Sequence, residues 1–206
     1  VDIHAPVGAT PGSYKLTSST VTVDSVGKGT ATADLVIVGA PLVDFRFVQS
    51  GNEVTSVKAG DTVEIEFTYS DTNSSNVSAI TSSMVLNNQI PVTVQTLPPN
   101  NSCGAGSTVT QSINNEALSI NLSGGNFVAD SSCTFSVEIA IPSDVSAGAL
   151  NYTFESISST VNSETVLSNK PSKTLDIIGA PKLRITMPTG VQANDSENLV
   201  FNLTHN

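Results

Sequence analysis

The sequence repeats itself at an interval of roughly 135 to 140 residues. Val38-Gly39-Ala40-Pro41 returns as Ile178-Gly179-Ala180-Pro181, and Phe67-Thr68-Tyr69 returns more loosely as Phe201-Asn202-Leu203. The chain has 206 residues, so it holds about one and a half units. Self-similarity at a fixed interval is typical of arrays, which set length and spacing rather than build one site.

Residue usage favours β-structure throughout the chain. Ser, Thr, Val and Ile are abundant, and clusters of Gly, Pro and Asn separate short apolar runs. β-branched residues fit a pleated surface, whereas turn residues end strands. Alternation of apolar and polar residues predicts strands over 36–38, 42–48, 63–69, 79–86, 90–94, 118–122, 133–141, 152–157 and 175–178. A turn at Gly124-Gly125 is predicted after the 118–122 strand. This pattern predicts an all-β chain of immunoglobulin-like β-sandwich domains in tandem.

Two Gly-Ala-Pro triplets are the predicted joints between domains: Gly39, Ala40 and Pro41, then Gly179, Ala180 and Pro181. Proline cannot continue a β-ladder, and glycine permits a tight bend. The boundaries therefore fall near 40 and 180. Residues 1–40 are predicted to be the last strands of one repeat, 41–179 a complete repeat, and 180–206 the first strands of the next.

The two partial repeats are expected to leave apolar strand faces that need a cover. The residues concerned are Val21, Val23, Leu35 and Ile37 on one side, and Leu183, Ile185, Leu199 and Phe201 on the other. The cover would come from adjacent repeats of the same polypeptide or from other copies of the chain, because open strand edges invite strand addition.

The charge balance argues against two classes of partner. Eighteen acidic and eight basic residues give a net charge of −10. Nucleic acid and anionic membranes both attract basic surfaces, so neither is an expected partner. No apolar run approaches the roughly 20 residues needed to span a bilayer, and we expect no membrane insertion in this segment.

The only cysteines are Cys103 and Cys133. Their spacing matches no C-x-x-C metal or redox motif. A disulfide between them would close a loop of about 30 residues and stabilise the fold by roughly 3 kcal/mol. A pair of buried free thiols is the alternative. The disulfide implies an oxidising compartment and therefore a secreted, extracellular or cell-surface protein.

Short motifs accompany the cysteines in a fixed order. They are Ser102-Cys103-Gly104, the Gly124-Gly125 pair, Cys133-Thr134-Phe135, Pro142 followed by Gly148, and Asn151-Tyr152-Thr153. This order resembles the paired-cysteine signature of immunoglobulin-like tandem repeats in large bacterial surface and adhesin-type proteins. The resemblance covers roughly 41–179. It implies secreted or wall-anchored arrays, often adhesive, and brings no catalytic residues.

No residue set in the sequence predicts an enzyme. A serine nucleophile needs a base within reach, and the only histidines, His4 and His205, lie near the two ends. Glu64 and Glu66 share one face of a predicted strand, so we interpret them as solvated exterior rather than as a catalytic carboxylate pair.

Metal and sugar binding are weaker candidates. Calcium at domain joints would use loop oxygens, and the aspartates in or near predicted turns are Asp44, Asp61, Asp71, Asp130, Asp144 and Asp195. They form no D-x-D-x-D run, and aspartate is an ordinary turn former. We expect no cofactor and leave calcium open. Asn-rich loops offer sugar contacts, but the chain has no Trp for a stacking platform.

The sequence therefore favours a structural repeat segment of a bacterial extracellular fibre, filament or giant adhesin. It would act as a rigid spacer and self-assemble through exposed edge strands. Its partners would be adjacent repeats and other copies, with a cell-surface or glycan ligand at a distal tip. The alternative is a loop-mediated module of a surface protein that binds glycan or protein.

Overall fold

The computed structural model describes residues 10–71, 76–86, 90–114 and 117–186, with 190, 193, 198 and 200–204. Within these residues all regular structure is β-strand, which confirms the all-β class. No helix in this part of the chain is long and apolar enough to cross a membrane. The strands are β1 (Gly12–Thr17), β2 (Thr22–Val23), β3 (Val26–Gly27), β4 (Thr32–Ile37), β5 (Leu42–Gln49), β6 (Asn52–Glu53), β7 (Ser56–Lys58), β8 (Thr62–Ser70), β9 (Val77–Leu86), β10 (Thr93–Thr96), β11 (Thr108–Asn114), β12 (Ala117–Phe127), β13 (Ser132–Ala140), β14 (Gly148–Val161), β15 (Glu164–Leu167), β16 (Ser172–Ile178), β17 (Lys182–Thr186) and β18 (Val200–Thr204).

Strands β5 to β16 form two sheets. One has the order β10-β13-β8-β5-β6, and the other has the order β11-β12-β9-β14-β16-β7 with β15 beside β14. The pairs are antiparallel, except that β7 runs parallel to β16. Alternate residues of β8 point inward, because Val63, Ile65, Phe67 and Tyr69 are each at most 2% exposed. This alternation is what a strand with one buried face requires.

Aromatic rings join the two sheets in the core. Phe67 of β8 has its ring centroid 5.1 Å from that of Phe135, 6.3 Å from Phe45 and 6.0 Å from Phe154. Phe154 belongs to β14 in the opposite sheet, so its edge-on contact with Phe67 crosses the sandwich. Aromatic pairs in this geometry stabilise by about 0.5–1.5 kcal/mol beyond the area they bury.

Two of the strand predictions are wrong. Gly124 and Gly125 are not a turn but lie inside β12, where the register against β9 shifts. A Cβ on Gly125 would lie 3.1 Å from the Cβ of Ile80, so glycine permits the two strands to approach closely. The strand predicted at 90–94 begins only at Thr93, because Pro91 has no N–H to donate to a ladder.

The C-terminal hairpin repeats a strand pair of the sandwich in register. β17 pairs with β18, and Ile185 lies opposite Phe201, as Phe45 lies opposite Phe67 between β5 and β8. Every β17–β18 pair has a β5–β8 counterpart, and the shift in numbering is constant along each strand. The sequence repeat at these positions is loose, but the pairing repeat is complete.

The N-terminal hairpin does the same for the last strands of the sandwich. Gly12 of β1 lies opposite Ile37 of β4, as Gly148 of β14 lies opposite Ile177 of β16. Every other β1–β4 pair also has its β14–β16 counterpart, again with a constant shift in numbering along each strand. This hairpin therefore has the pairing of the closing strands of a sandwich.

The short hairpin between β2 and β3 also has its counterpart in the sandwich. Its two turn residues, Asp24 and Ser25, have φ values of 52° and 64°. Asn162 and Ser163, which join β14 to β15, have φ values of 51° and 68°. Two successive positive φ values are the signature of the type I′ turn, whose twist matches that of the flanking strands. The same turn therefore follows equivalent strands in both places.

Both flanking segments expose apolar side chains. In the C-terminal hairpin Leu183 is 60% exposed, Phe201 60% and Leu203 72%. In the N-terminal segment Val21 and Val23 are about half exposed, whereas Leu35 and Ile37 are half-buried. Leu199 lies outside the described residues. Isolated two-stranded hairpins are marginal in water, so these faces call for a cover.

Two buried tyrosines make the stability of the sandwich decrease at high pH. Tyr69 and Tyr152 are at most 1% exposed, and only the Tyr69 hydroxyl has a described partner, Ser82 Oγ at 2.6 Å. Burial raises the pKa of each phenol above its usual value of about 10.

Because the folded-state pKa is raised, the unfolded chain loses these protons first. The contribution of the two tyrosines to the free energy of unfolding is therefore fully present below about pH 10 and falls above it. We expect a loss of about 1.4 kcal/mol per pH unit per tyrosine. Denaturant unfolding between about pH 9 and pH 12 measures this slope. Tyr69→Phe and Tyr152→Phe should each flatten it, and an unchanged slope in both variants would contradict the assignment.

Candidate functional site

The junction at 179–181 is bonded to the end of the sandwich. Gly179 is buried, the Ala180 N–H donates to the Val145 carbonyl at 3.2 Å, and Lys182 Nζ donates to Ser146 Oγ at 3.0 Å. These contacts come from the loop between β13 and β14. The chain therefore leaves the sandwich in a direction that several bonds define.

Close packing explains the glycine at this junction. A Cβ on Gly179 would lie 2.8 Å from the carbonyl carbon of Ser146 and closer still to the Ala147 nitrogen. On the preceding residue, the Ile178 carbonyl accepts a hydrogen bond from the Ala59 N–H at 2.9 Å. The backbone is thus held between two loops, and both neighbours of the missing Cβ are main-chain atoms that cannot rotate away.

Gly179→Ala is therefore expected to destabilise the sandwich by about 1–3 kcal/mol, because overpacking forces backbone shifts. It should also speed hydrogen exchange at the Ala180 amide. Gly148→Ala is the matched control, since a Cβ there meets nothing within 4 Å. Thermal unfolding and amide exchange of both variants check the prediction. Equal stabilities would show that the junction is loosely packed.

Both predicted joint triplets lie between strands. β4 ends at Ile37 and β5 begins at Leu42, whereas β16 ends at Ile178 and β17 begins at Lys182. Gly39 and Ala40 are half-buried. Pro41, which enters the complete sandwich, is buried, but Pro181, which enters the C-terminal hairpin, is exposed. The two prolines differ in exposure because Pro41 precedes a sandwich of two sheets, whereas Pro181 precedes a two-stranded hairpin.

A clamp holds the start of β5 to the segment before β16. Asn169 Oδ1 accepts from the Val43 N–H at 2.9 Å, and Asn169 Nδ2 donates to the Val43 carbonyl at 2.8 Å. The side chain thus replaces a neighbouring strand at this edge. Lys173 Nζ lies 2.9 Å from Asp44 Oδ1 and 5.5 Å from the centroid of the Phe45 ring. The ion pair is exposed and adds little, so Asn169 is the main fastening.

The clamp and the junction lie at opposite ends of β16. Asn169 and Lys173 are near its start and contact the first residues of β5, whereas Gly179 follows its last residue, Ile178. At about 3.3 Å per residue, β16 extends roughly 20 Å between the two. The chain therefore enters the sandwich at one end of the strand direction and leaves at the other.

Cys103 and Cys133 form a disulfide, with their Cα atoms 5.2 Å apart. Cys103 is fully buried, and the bond joins the loop after β10 to β13. Within that loop the Cys103 N–H donates to Ser107 Oγ at 2.9 Å. The Asn126 N–H in turn donates to the Cys103 carbonyl at 2.8 Å. The disulfide therefore anchors a loop that these hydrogen bonds also order.

The acidic residues do not converge on a metal site. Among the described residues no group of three or more His, Cys, Asp or Glu could hold an ion. Asp44, predicted in or near a turn, lies instead within β5, where it faces Lys173. Asp61 accepts from Gln49 Nε2 at 3.1 Å, and Asp71 is buried. Calcium at the joints, which the sequence leaves open, stays a hypothesis.

The remaining residues considered for chemistry are dispersed. Glu64 is exposed, and Glu66 is half-buried and bonded to Arg46 at 2.7 Å. Asp130 and Asp144 lie in turns. His4, His205 and Asp195 lie outside the described residues. A surface depression of about 440 Å³ is lined in part by Asp61, Glu64 and Glu138.

No protein-family model matches this chain, and no curated protein matches it. A cohesin module from a family 33 glycoside hydrolase of Clostridium perfringens is similar in structure. It is 12% identical over 66% of this chain and 96% of the module, with a TM-score of 0.49. Two type I cohesin–dockerin complexes of Clostridium thermocellum, with OlpA and OlpC, are 11% and 14% identical. They cover 66% and 70% of this chain and 99% of each matched chain, with TM-scores of 0.49 and 0.46.

The described part of the chain has a bonded exit at Gly179, a clamped entry at Val43 and a disulfide-fastened loop. The Gly-Ala-Pro triplets and the cysteines stand out in the sequence because they are local signals. Sequence reasoning missed Asn169, which acts on a residue far away in the chain and looks in the sequence like part of an ordinary polar turn.

Proposed function

We propose that this chain is a segment of a tandem array of immunoglobulin-like sandwiches that serves as a rigid spacer in a bacterial extracellular fibre, filament or large adhesin. The shared strand register carries the proposal. The N-terminal hairpin pairs as β14 and β16 do, and the C-terminal hairpin pairs as β5 and β8 do. The first is the closing strand pair of the sandwich and the second is its opening pair. Consecutive units would place such pairs in this order on either side of a complete unit.

Exposure of the equivalent residues supports this assignment. Phe67 is 1% exposed in the sandwich, whereas Phe201 at the equivalent position is 60% exposed. Tyr69 is 1% exposed, whereas Leu203 is 72% exposed. Apolar side chains in a strand pair of this kind need an opposite sheet. In an array, the later strands of the same unit would supply it.

The junction geometry supports rigidity. Entry at Val43 and exit at Gly179 lie at opposite ends of the strand direction, so neighbouring units would follow one another in line. Bonds from Ala180 to Val145 and from Lys182 to Ser146 limit swivelling at the exit. Each unit would therefore add a fixed length rather than a flexible link.

The disulfide supports a location outside the cell. Disulfides persist in oxidising compartments and are rare in the cytosol. The Cys103–Cys133 bond is buried at one end, so it would protect each unit against unfolding where chaperones are absent.

Imaging of a polypeptide with several consecutive units tests the proposal. Negative-stain micrographs should show straight rods whose length grows by a constant increment per unit. Gly179→Ala at every junction should broaden the distribution of inter-unit angles, whereas Gly148→Ala should leave it unchanged. Compact particles, or units at random angles in the natural sequence, would contradict the spacer role.

A further inference from the structure

One edge of the sandwich is open along a whole strand. β11 pairs with β12 through all seven of its residues, Thr108 to Asn114, and ends the sheet. Within the described ranges no strand lies on its other side. An edge strand of this length presents a row of free backbone donors and acceptors, to which another strand can add.

Most other edges of the sandwich are short or covered, although β10 pairs with only Glu138 to Ala140 of β13. β6, β7, β10 and β15 have two to four residues each. β5 is long, but Asn169 occupies the backbone of Val43, and the Val54 N–H donates to the Phe47 carbonyl at 2.9 Å. Short strands and covering groups are the usual protection against edge-to-edge pairing. β11 has neither.

The strands at this edge are uncharged in a strongly acidic chain, and the nearest charged residue in the sequence is Glu116, between β11 and β12. The chain carries a net charge of −10, yet β11, its neighbour β12 and the next strand β9 contain no Asp, Glu, Lys or Arg. Copies of an acidic protein repel one another through their carboxylates. This edge is therefore where two copies can approach with little repulsion.

The sequence of β11 is complementary to itself. If two β11 strands run antiparallel about Gln111, Val109 of each faces Ile113 of the other, and Thr110 faces Ser112. Matched apolar and hydroxyl pairs of this kind stabilise antiparallel strands. The match holds whether Gln111 occupies a hydrogen-bonded or a non-hydrogen-bonded position, because the symmetry centre is a residue.

The face that such pairing would extend is apolar on both sides of Gln111, which lies opposite Ile120 in the same row. Val109 lies opposite Leu122 on β12, and Ile113 lies opposite Leu118, and all of them except Ile113 are at most 8% exposed. Ile113 is 72% exposed, although it continues the same core-facing row. A second copy of Val109 beside it would cover this side chain.

We propose that two copies of this chain join antiparallel through β11, about a two-fold axis at Gln111, so that one sheet continues across both. This inference rests on the proposed spacer function, and it specifies how neighbouring spacers would associate side by side. The partner is a second copy rather than an unrelated strand, since the match is between the strand and itself.

Substitutions at Gln111 test the pairing, because this exposed residue would face its own copy. Gln111→Lys and Gln111→Glu would each set like charges opposite one another and weaken self-association by roughly two- to fivefold. An equimolar mixture of the two variants should associate at least as tightly as the natural chain. Thr165→Lys, on the short edge strand β15, is the matched control and should change nothing. Sedimentation velocity over a concentration series gives each constant.

Three results would overturn the inference: a natural chain that stays monomeric, association indifferent to charge at 111, or a mixture that fails to recover it. If copies associated through the flanking hairpins instead, Leu203→Ser would change the association constant and the substitutions at Gln111 would not. Failure of the β11 pairing would leave the array proposal intact, because that proposal fails only if the rod geometry of consecutive units is absent.

Discussion

Phe67→Ala is expected to lower the free energy of unfolding of the sandwich by about 3–5 kcal/mol. The ring is 1% exposed and contacts Phe45, Phe135 and Phe154. Its removal leaves a cavity between the two sheets that the surrounding strands cannot close, because each is fixed in a ladder. Urea denaturation followed by circular dichroism measures the change.

The same substitution at Phe201 is the control that makes this prediction specific. Phe201 occupies the equivalent register position but is 60% exposed. Phe201→Ala should therefore change stability by less than about 0.5 kcal/mol in this chain. Comparable losses at the two positions would mean that β18 is packed within this chain, and the interpretation of the hairpin as an incomplete unit would be wrong.

Removing the disulfide is expected to have the next largest effect. The double variant Cys103→Ser with Cys133→Ser frees a loop whose ends are 30 residues apart, which costs roughly 3 kcal/mol. For a chain of this size the melting midpoint should fall by about 6–12 °C. The strand content below the transition should be unchanged, because both sheets keep their ladders.

Calorimetry with and without reductant checks this result on the natural chain as well. Alkylation under native conditions should find no free thiol. A melting midpoint that does not move on reduction would show that the loop around Cys103 is held by its hydrogen bonds to Ser107 and Asn126 alone.

Two strands with one buried face were predictable from the sequence almost to the residue, whereas β14, predicted over 152–157, extends from Gly148 to Val161. The pattern over 63–69 became β8 at Thr62–Ser70, and the pattern over 133–141 became β13 at Ser132–Ala140. In both, every second side chain enters the core, so period-two alternation is a physical necessity. The continuation of the 118–122 strand through Gly124 and Gly125 was not predictable, because glycine inside a strand and glycine in a turn look the same in a sequence.

The features of the candidate site also differ in whether the sequence shows them. The Gly-Ala-Pro triplets are visible in the sequence because they recur, and the cysteines because they are rare. The clamp from Asn169 to Val43 depends on contacts between distant segments and has no local signal. The full extent of the repeat is also hidden, because connections of different length give the two strands of a pair different repeat intervals.

Completing the C-terminal unit tests the central claim most directly. A chain in which residues 71–179 are appended after Thr204 supplies the strands that β17 and β18 lack, at the position where Thr204 takes the place of Ser70. Hydrogen–deuterium exchange over 200–204 is the measurement. If the hairpin opens a second sandwich, these amides should become as protected as those of β8. Exchange at the same rate in the natural and the completed chain would contradict the account.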